Sequence, residues 1–129
     1  VCFTGAVDNR VVLERMAAAT LVVAPSRSEA LGMVNVEALA VGTPVVASAT
    51  GGIGEIIRDG VEGYLTPVND PAALGERIGR LLGDPAKWAA FSARARQSYL
   101  DRFEMRASIG RQADWYEELV TARAARGER

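Results

Sequence analysis

The amino-acid sequence predicts an α/β fold, a mostly parallel sheet with helices on both faces. In residues 1–68, short apolar runs rich in β-branched residues alternate with helical patterns, which is typical of such sheets. The run PVVASA (44–49) has an unbroken apolar centre, as expected of a strand covered on both faces. Residues 69–129 contain only helical patterns. We therefore expect a single domain, with a β/α region at 1–68 and a helical region at 69–129.

The first half of the chain supplies four predicted strands and three predicted helices. The strands are VCFTG (1–5), TLVVAP (20–25), PVVASA (44–49) and GYLTP (63–67). Asp8 can cap a first helix that runs to about residue 19. A second helix covers 33–41 and stops at Gly42, and a short third helix lies near 55–58. In a parallel sheet, ligands bind at the carboxyl ends of the strands, so the loops after 20–25 and 44–49 hold the candidate site.

Two Asp-Pro pairs organise the second half. Asp70-Pro71 and Asp84-Pro85 each place a capping side chain before a proline at the first helical position. Three apolar stripes at helical spacing follow, formed by Leu74, Ile78, Leu81 and Leu82, by Trp88, Phe91 and Ala95, and by Ile109, Ala113, Tyr116 and Val120.

Composition excludes several classes of function. The formal net charge is −1 and the pI about 5.5, which argues against a nucleic-acid partner. The sequence lacks histidine and has one cysteine, Cys2, so we predict no metal, no cofactor and no intrachain disulfide. No apolar run approaches the roughly 18–20 residues that span a bilayer. The single cysteine suits a reducing compartment, so the expected location is cytoplasmic, with a peripheral position at the inner membrane face as an option for the full-length protein. The strand-like start without Met suggests a fragment.

Glu37 is the only charged residue in the otherwise almost wholly apolar helix 33–41. Apolar residues all round a helix predict burial on every side. An unpaired buried carboxylate destabilises the fold or takes up a proton. Glu37 therefore needs a donor, either from the protein, such as a structural arginine, or from a ligand.

The loop from Pro25 to Gly32 leads into this helix. The backbone N–H groups of Leu31, Gly32 and Met33 should lie unsatisfied at the positive end of the helix dipole, where a phosphate or sugar oxygen can bind. Glu29 adds a carboxylate that can accept two hydrogen bonds from a sugar diol. The alternative is an ordinary helix start preceded by a solvated turn residue.

The glycines of TGGIGE (50–55) raise the possibility of a dinucleotide-binding loop. A G-x-G-x-x-G pattern beginning at Gly52 requires glycine at position 57, which is Ile57. No acidic residue ends a following strand to bind a ribose. We therefore interpret this segment as a sharp turn beside the ligand cleft, with Glu55 placed to interact with a helix dipole.

The combination of these motifs resembles a known enzyme signature. Glu29 and Glu37 lie eight residues apart with Gly32 between them, Pro-Ser before them and GTPVVAS after them. With FTG (3–5), GGIGE (51–55) and DGVEGYL (59–65), the pattern resembles the retaining glycosyltransferases of the GT-B fold, specifically the group 1 family, also called family 4. The resemblance covers residues 1 to about 85 closely and the helical tail loosely.

The resemblance implies roles for individual residues. Glu37 matches the glutamate that holds the ribose hydroxyls of the donor nucleotide, and Glu29 matches the catalytic-site glutamate that lies against the donor sugar. Leu31, Gly32 and Met33 match the loop whose amides contact the donor sugar and diphosphate. Ala30 belongs to the same loop but stands where the family usually has glycine, so a Cβ there could tighten the sugar pocket or disfavour a positive φ.

The implied parent is a metal-independent hexosyltransferase that uses a UDP-, GDP- or ADP-sugar and retains the anomeric configuration. The chain resembles the last two-thirds of the Rossmann-like C-terminal domain, a four-stranded parallel sheet here. It lacks the upstream basic pair that neutralises the diphosphate, so the fragment alone should be inactive. Alternatives are a non-catalytic binding or assembly module and a sugar-nucleotide epimerase relative.

The implied strand order also predicts an exposed edge. In the order 3-2-1-4-5-6, residues 1–5 would be strand 3 and residues 20–25 strand 4, with the two strands between them absent. The bare edge of 20–25 should pair with a second copy, or residues 1–5 should move to fill it.

Overall fold

The computed structural model describes residues 1–125, which form three strands and six helices. In chain order these are α1 Asn9–Ala18, β1 Val22–Ala24, α2 Met33–Ala40, β2 Val45–Ser48, α3 Ile53–Ile56, β3 Gly63–Thr66, α4 Pro71–Leu82, α5 Pro85–Arg102 and α6 Met105–Ala125. None of the described helices combines the length and apolarity needed to cross a membrane. The alternation of strands and helices followed by a helical second half agrees with the sequence pattern.

The strands form one parallel sheet in the order β1-β2-β3. Val22 lies opposite Val45, and Val45 lies opposite Gly63. Every residue of the central strand β2 is buried, as its unbroken apolar centre predicted. Parallel pairing brings the carboxyl ends of all three strands to one edge of the sheet, where the predicted ligand loops begin.

The sheet of the described residues has three strands where the sequence predicted four. Residues 1–5 are exposed and join no strand. Among the described residues the segment has no neighbouring strand to pair with, and a strand forms only beside a partner. It does not move to fill the edge of β1, which leaves pairing with a second copy as a prediction.

Hydrophobic side chains cover both faces of the sheet. Because side chains alternate along a strand, Val45 and Ala47 pack against one face with Leu39 of α2, while Val46 packs on the other with Leu81 of α4. These residues are 0 to 1% exposed. The two apolar clusters confirm the α/β class.

Three aspartates begin helices where the sequence placed them. Asp8, Asp70 and Asp84 each accept a hydrogen bond from a backbone N–H two or three residues further on, at 2.8, 2.9 and 2.9 Å. These bonds satisfy N–H groups that have no partner inside the helix.

The apolar residues of α6 are exposed to solvent: Met105, Ile109, Tyr116 and Val120 are each more than 50% exposed.

A buried carboxylate joins the segment before β3 to α5. Glu62 is 0% exposed, and its Oε1 accepts hydrogen bonds from Arg58 Nε at 3.1 Å, Ser98 Oγ at 3.1 Å and Arg102 Nη1 at 3.3 Å. Arg102 Nη1 also donates to the carbonyl of Ile56 at 3.0 Å. The cluster therefore fixes the end of α3 as well as β3 to α5.

Candidate functional site

The loop after β1 ends at the open amino terminus of α2. Gly32 occupies the N-cap position with a φ of 81°, and no side chain caps the helix there. In the described part of the chain, the backbone N–H groups of Leu31, Gly32 and Met33 donate no hydrogen bond. Leu31 and Met33 are 49% and 55% exposed. The first turn of α2 thus offers free donors at the positive end of the helix dipole.

The glycine-rich turn at 50–52 supports this loop from behind. Gly52 N donates to the carbonyl of Ala30 at 3.0 Å. Gly51 has a φ of +52°, and a Cβ at this position would collide with the carbonyl of Glu29. The turn needs glycine because two backbone segments touch here, which is a different use from cradling a dinucleotide.

Glu29 is half-buried and turned towards its own loop. Its Oε1 accepts a hydrogen bond from the N–H of Ala30 at 3.1 Å. Ala30 itself is exposed and has no positive φ, so its Cβ fits the backbone of this loop without strain. Of the two effects predicted for Ala30, strain from a positive φ is therefore absent.

The expectation that Glu37 is buried was wrong. It is half-buried, because one face of α2 stays open: Asn35, Val36, Ala38 and Leu39 are buried, while Met33 one turn before Glu37 is exposed. Glu37 Oε1 accepts a hydrogen bond from Asn9 Nδ2 at 3.0 Å. The donor that the carboxylate required is an amide of α1 rather than a structural arginine.

Asn35 is the polar residue that the sequence interpretation overlooked. It is 0% exposed, and neither Oδ1 nor Nδ2 has a hydrogen-bond partner in the described chain. The signal was present, because an asparagine three residues after Gly32 interrupts an apolar helix.

A cleft of about 600 Å³ opens at the carboxyl ends of the strands beside α4. Its lining includes Arg27 from the loop after β1, Ser48 at the end of β2 and Thr66 at the end of β3. Neither Glu29 nor Glu37 lines it. The loop after β1 therefore contributes Arg27 to this cleft, while its two glutamates stand outside it.

A comparison with known protein families identifies the family of the chain. Residues 1–98 match the family described as "Glycosyl transferases group 1". The chain belongs to this family. The resemblance carried by the two glutamates and the glycine between them is thereby confirmed.

Group 1 glycosyl transferases and related solved structures show how much of a longer enzyme this chain matches. D-inositol 3-phosphate glycosyltransferase 1 of Catenulispora acidiphila is 54% identical over 80 residues, which are 62% of this chain and 19% of that protein. The structure of sucrose-phosphate synthase (tll1590) from Thermosynechococcus elongatus superposes with a TM-score of 0.82 and 34% identity over 95% of this chain and 31% of that one. Anabaena Alr3699/HepE in complex with UDP gives 0.75 and 32% over 81% and 29%. The chain spans less than a third of each of these proteins.

Proposed function

We propose that the chain is the donor-binding part of a glycosyltransferase that transfers a sugar from a nucleoside diphosphate sugar to an acceptor. The whole enzyme would act without a metal ion and with retention of the anomeric configuration. The observation that carries the proposal is the open first turn of α2, with free N–H groups between Glu29 and Glu37. Donors at a helix amino terminus suit a diphosphate, and carboxylates suit sugar hydroxyls.

Glu37 is proposed to bind the ribose of the donor. Asn9 occupies Oε1 of its carboxylate, and Oε2 accepts no hydrogen bond from the described residues. Asn9 thus fixes the orientation of the carboxylate and leaves one oxygen for a hydroxyl group. A charge-assisted hydrogen bond of this kind contributes about 1.5–3 kcal/mol.

Glu29 and residues 30–33 are proposed to bind the donor sugar and the diphosphate. Glu29 now accepts a hydrogen bond from the adjacent amide of Ala30, so a sugar hydroxyl would replace or share that donor. The amides of Leu31, Gly32 and Met33 would face the diphosphate. Transfer requires stabilisation of the departing diphosphate, and partial charges on amides beside two carboxylates give little of it. We infer that basic groups of a longer protein supply the rest, so that the isolated chain binds the donor without transferring the sugar.

The nucleotide is proposed to be UDP, with GDP and ADP as the alternatives. The solved relative Alr3699/HepE has been crystallised in complex with UDP and in complex with UDP-glucose. The two sequences are 32% identical over 81% of the present chain. UDP and UDP-glucose are therefore the first ligands to test.

An NMR titration of the ¹⁵N-labelled chain with UDP, GDP, ADP and UDP-glucose, taken to millimolar concentration, tests the proposal. We expect shifts centred on the amides of 31–33 and Glu37. Glu37→Gln should weaken binding about tenfold or more, because it removes a charge-assisted hydrogen bond. Glu14→Gln is the matched control, since Glu14 lies on α1 with a side chain 65% exposed and should leave affinity unchanged.

Two results would contradict the proposal. One is the absence of shifts with every nucleotide at millimolar concentration. The other is a shift pattern centred on Ser48, Thr66 and the start of α4, which would place the ligand in the neighbouring cleft.

We also propose that the edge of β1 pairs with a second copy of the chain. β1 is the outer strand of the described sheet, and Val23 is 38% exposed. An apolar strand edge with free backbone groups favours pairing between chains. Val23→Lys should shift the chain towards monomer in light scattering coupled to size exclusion. A wild-type chain that is monomeric at high concentration would contradict this prediction.

A further inference from the structure

Asn35 carries a buried amide that the proposed chemistry leaves unused. It lies in the first turn of α2, where its backbone N–H bonds to the carbonyl of Gly32 at 2.9 Å. Its side chain is 0% exposed, and both polar atoms are without a hydrogen-bond partner among the described residues. Buried polar groups are almost always paired, because the loss of hydration is otherwise not recovered. An unpaired amide therefore calls for an explanation.

The amide lies directly behind the loop that carries Glu29. A Cβ built on Gly32 would stand 2.7 Å from Asn35 Nδ2, 3.1 Å from Ile53 Cγ1 and 3.3 Å from Glu29 Cγ. The amide nitrogen therefore occupies the space between the loop and the first residue of α3. This direction follows from helix geometry, because helical side chains lean towards the amino terminus.

A purely structural role does not account for these contacts. An amide that held the loop in its present conformation would bond to the backbone of the loop, and it does not. Leucine has the same number and branching of heavy atoms and would fill the space without an unpaired polar group. The amide is therefore better explained by an arrangement of the loop in which it finds partners.

We propose that Asn35 is a positioning residue for the loop formed by residues 29–32, acting when the donor binds. Its Oδ1 accepts a hydrogen bond from the N–H of Ala30, which Glu29 releases when it turns to the sugar, and its Nδ2 donates to a loop carbonyl. The amides of Leu31, Gly32 and Met33 stay available to the diphosphate. The donor-bound arrangement of the loop is stabilised relative to the free one, and Glu29 is thereby held against the sugar. This inference rests on the proposed function, since a nucleoside diphosphate sugar is the ligand that favours the new arrangement.

The variant Asn35→Leu separates this role from a structural one. In the free chain it removes an unpaired buried amide, so the melting temperature should rise by about 3–6 °C. Affinity for UDP-glucose should fall about tenfold, because the bound loop loses a hydrogen-bonding partner. Thr43→Val is the control, since Thr43 is a buried polar residue before β2 whose hydroxyl already donates to the carbonyl of Met16. It should lower the melting temperature and leave affinity unchanged.

A second measurement uses the wild-type chain. The side-chain amide resonances of Asn35 should shift when UDP-glucose saturates the chain, and their hydrogen exchange should slow. If Asn35→Leu does not fold, this measurement and Asn35→Ala decide the question, and the alanine variant should also lose about tenfold in affinity.

The outcomes distinguish failure of this inference from failure of the proposed function. Wild-type binding that Asn35→Leu leaves unchanged overturns the role of Asn35 alone. An Asn35→Leu variant that folds but melts at a lower temperature than the wild type does the same, and so do side-chain resonances of Asn35 that UDP-glucose does not move. A wild-type chain that binds no nucleotide overturns the proposed function, and this inference with it.

Discussion

Replacing Arg102 should destabilise the fold more than replacing Glu62, although the two side chains form one ion pair. The reason is unequal burial: the side chain of Glu62 is 0% exposed, whereas those of Arg102 and Arg58 are 30% and 55% exposed. When one partner of a buried pair is removed, the cost is set by the group left behind. The arginines are partly exposed to water, and the carboxylate is not.

The structure gives the magnitudes. Arg102→Met removes a donor to the buried carboxylate and the donor to the carbonyl of Ile56, while Arg58 and Ser98 stay bonded to Glu62. The loss should therefore be about 3 kcal/mol, the lower end of the range for a broken buried pair. Glu62→Gln keeps the volume and one acceptor while it removes the charge, and should cost about 1.5–3 kcal/mol. For a domain whose total stability is about 5–15 kcal/mol, both losses are large.

Urea unfolding followed by circular dichroism at neutral pH measures these free energies. Glu76→Gln is the control, because Glu76 and Arg80 form an ion pair at 3.0 Å with both side chains more than half exposed. Its effect should stay within about 0.5 kcal/mol. The double variant of Glu62 and Arg102 should lose less than the sum of the single losses, by at least about 1 kcal/mol, since the interaction between the two side chains is counted in both single losses. Additive losses, or a larger loss for Glu62→Gln than for Arg102→Met, would refute this reasoning.

Two further predictions concern the glycine turn and a helix cap. Gly51→Ala should destabilise the chain by more than about 1 kcal/mol, the typical cost of strain at a positive φ. It should also weaken UDP-glucose binding, because the new Cβ collides with the carbonyl of Glu29. Unchanged unfolding and binding curves would contradict this prediction. The backbone N–H of Lys87 lowers the pKa of Asp84 below 3.8, so this cap stabilises the fold above pH 3.8 and loses its effect as the pH falls through the lower, folded-state pKa. As the pH falls below 4, the urea concentration at half-unfolding should decrease less in Asp84→Asn than in the wild type. The same pH dependence in both proteins would contradict this role of Asp84.

The elements with local causes could be predicted from the sequence. Asp70-Pro71 and Asp84-Pro85 fix helix starts by side-chain capping and by proline's restricted φ, and both helices begin at those prolines. The central strand β2 could be predicted because only a strand covered on both faces tolerates an unbroken apolar run. The pattern of two glutamates around Gly32 predicted the family for the same reason: it lies within one loop and one helix.

The predictions that were wrong concern features that depend on contacts between residues distant in sequence. Residues 1–5 have the composition of a strand, but a strand forms only beside a partner, and nothing local shows whether one is present. The burial of α2 depends on which sides of it are covered. The helical wheel of 33–41 therefore predicted that Glu37 is buried. In the structure, Asn35 lies on the covered face and Glu37 is only half-buried.

The Glu62 cluster should also influence the candidate site. Besides the carboxylate, Arg102 donates to the carbonyls of Glu55 and Ile56, the last two residues of α3. α3 begins at Ile53, whose side chain packs behind Gly32. A four-residue helix has too few internal hydrogen bonds to hold its own position, so its orientation depends on these end contacts. Arg102→Met should therefore weaken UDP-glucose binding several-fold at temperatures where the variant is still folded, while the exposed-pair control does not. Equal affinity in the folded variant would show that the loop is held by the glycine turn alone.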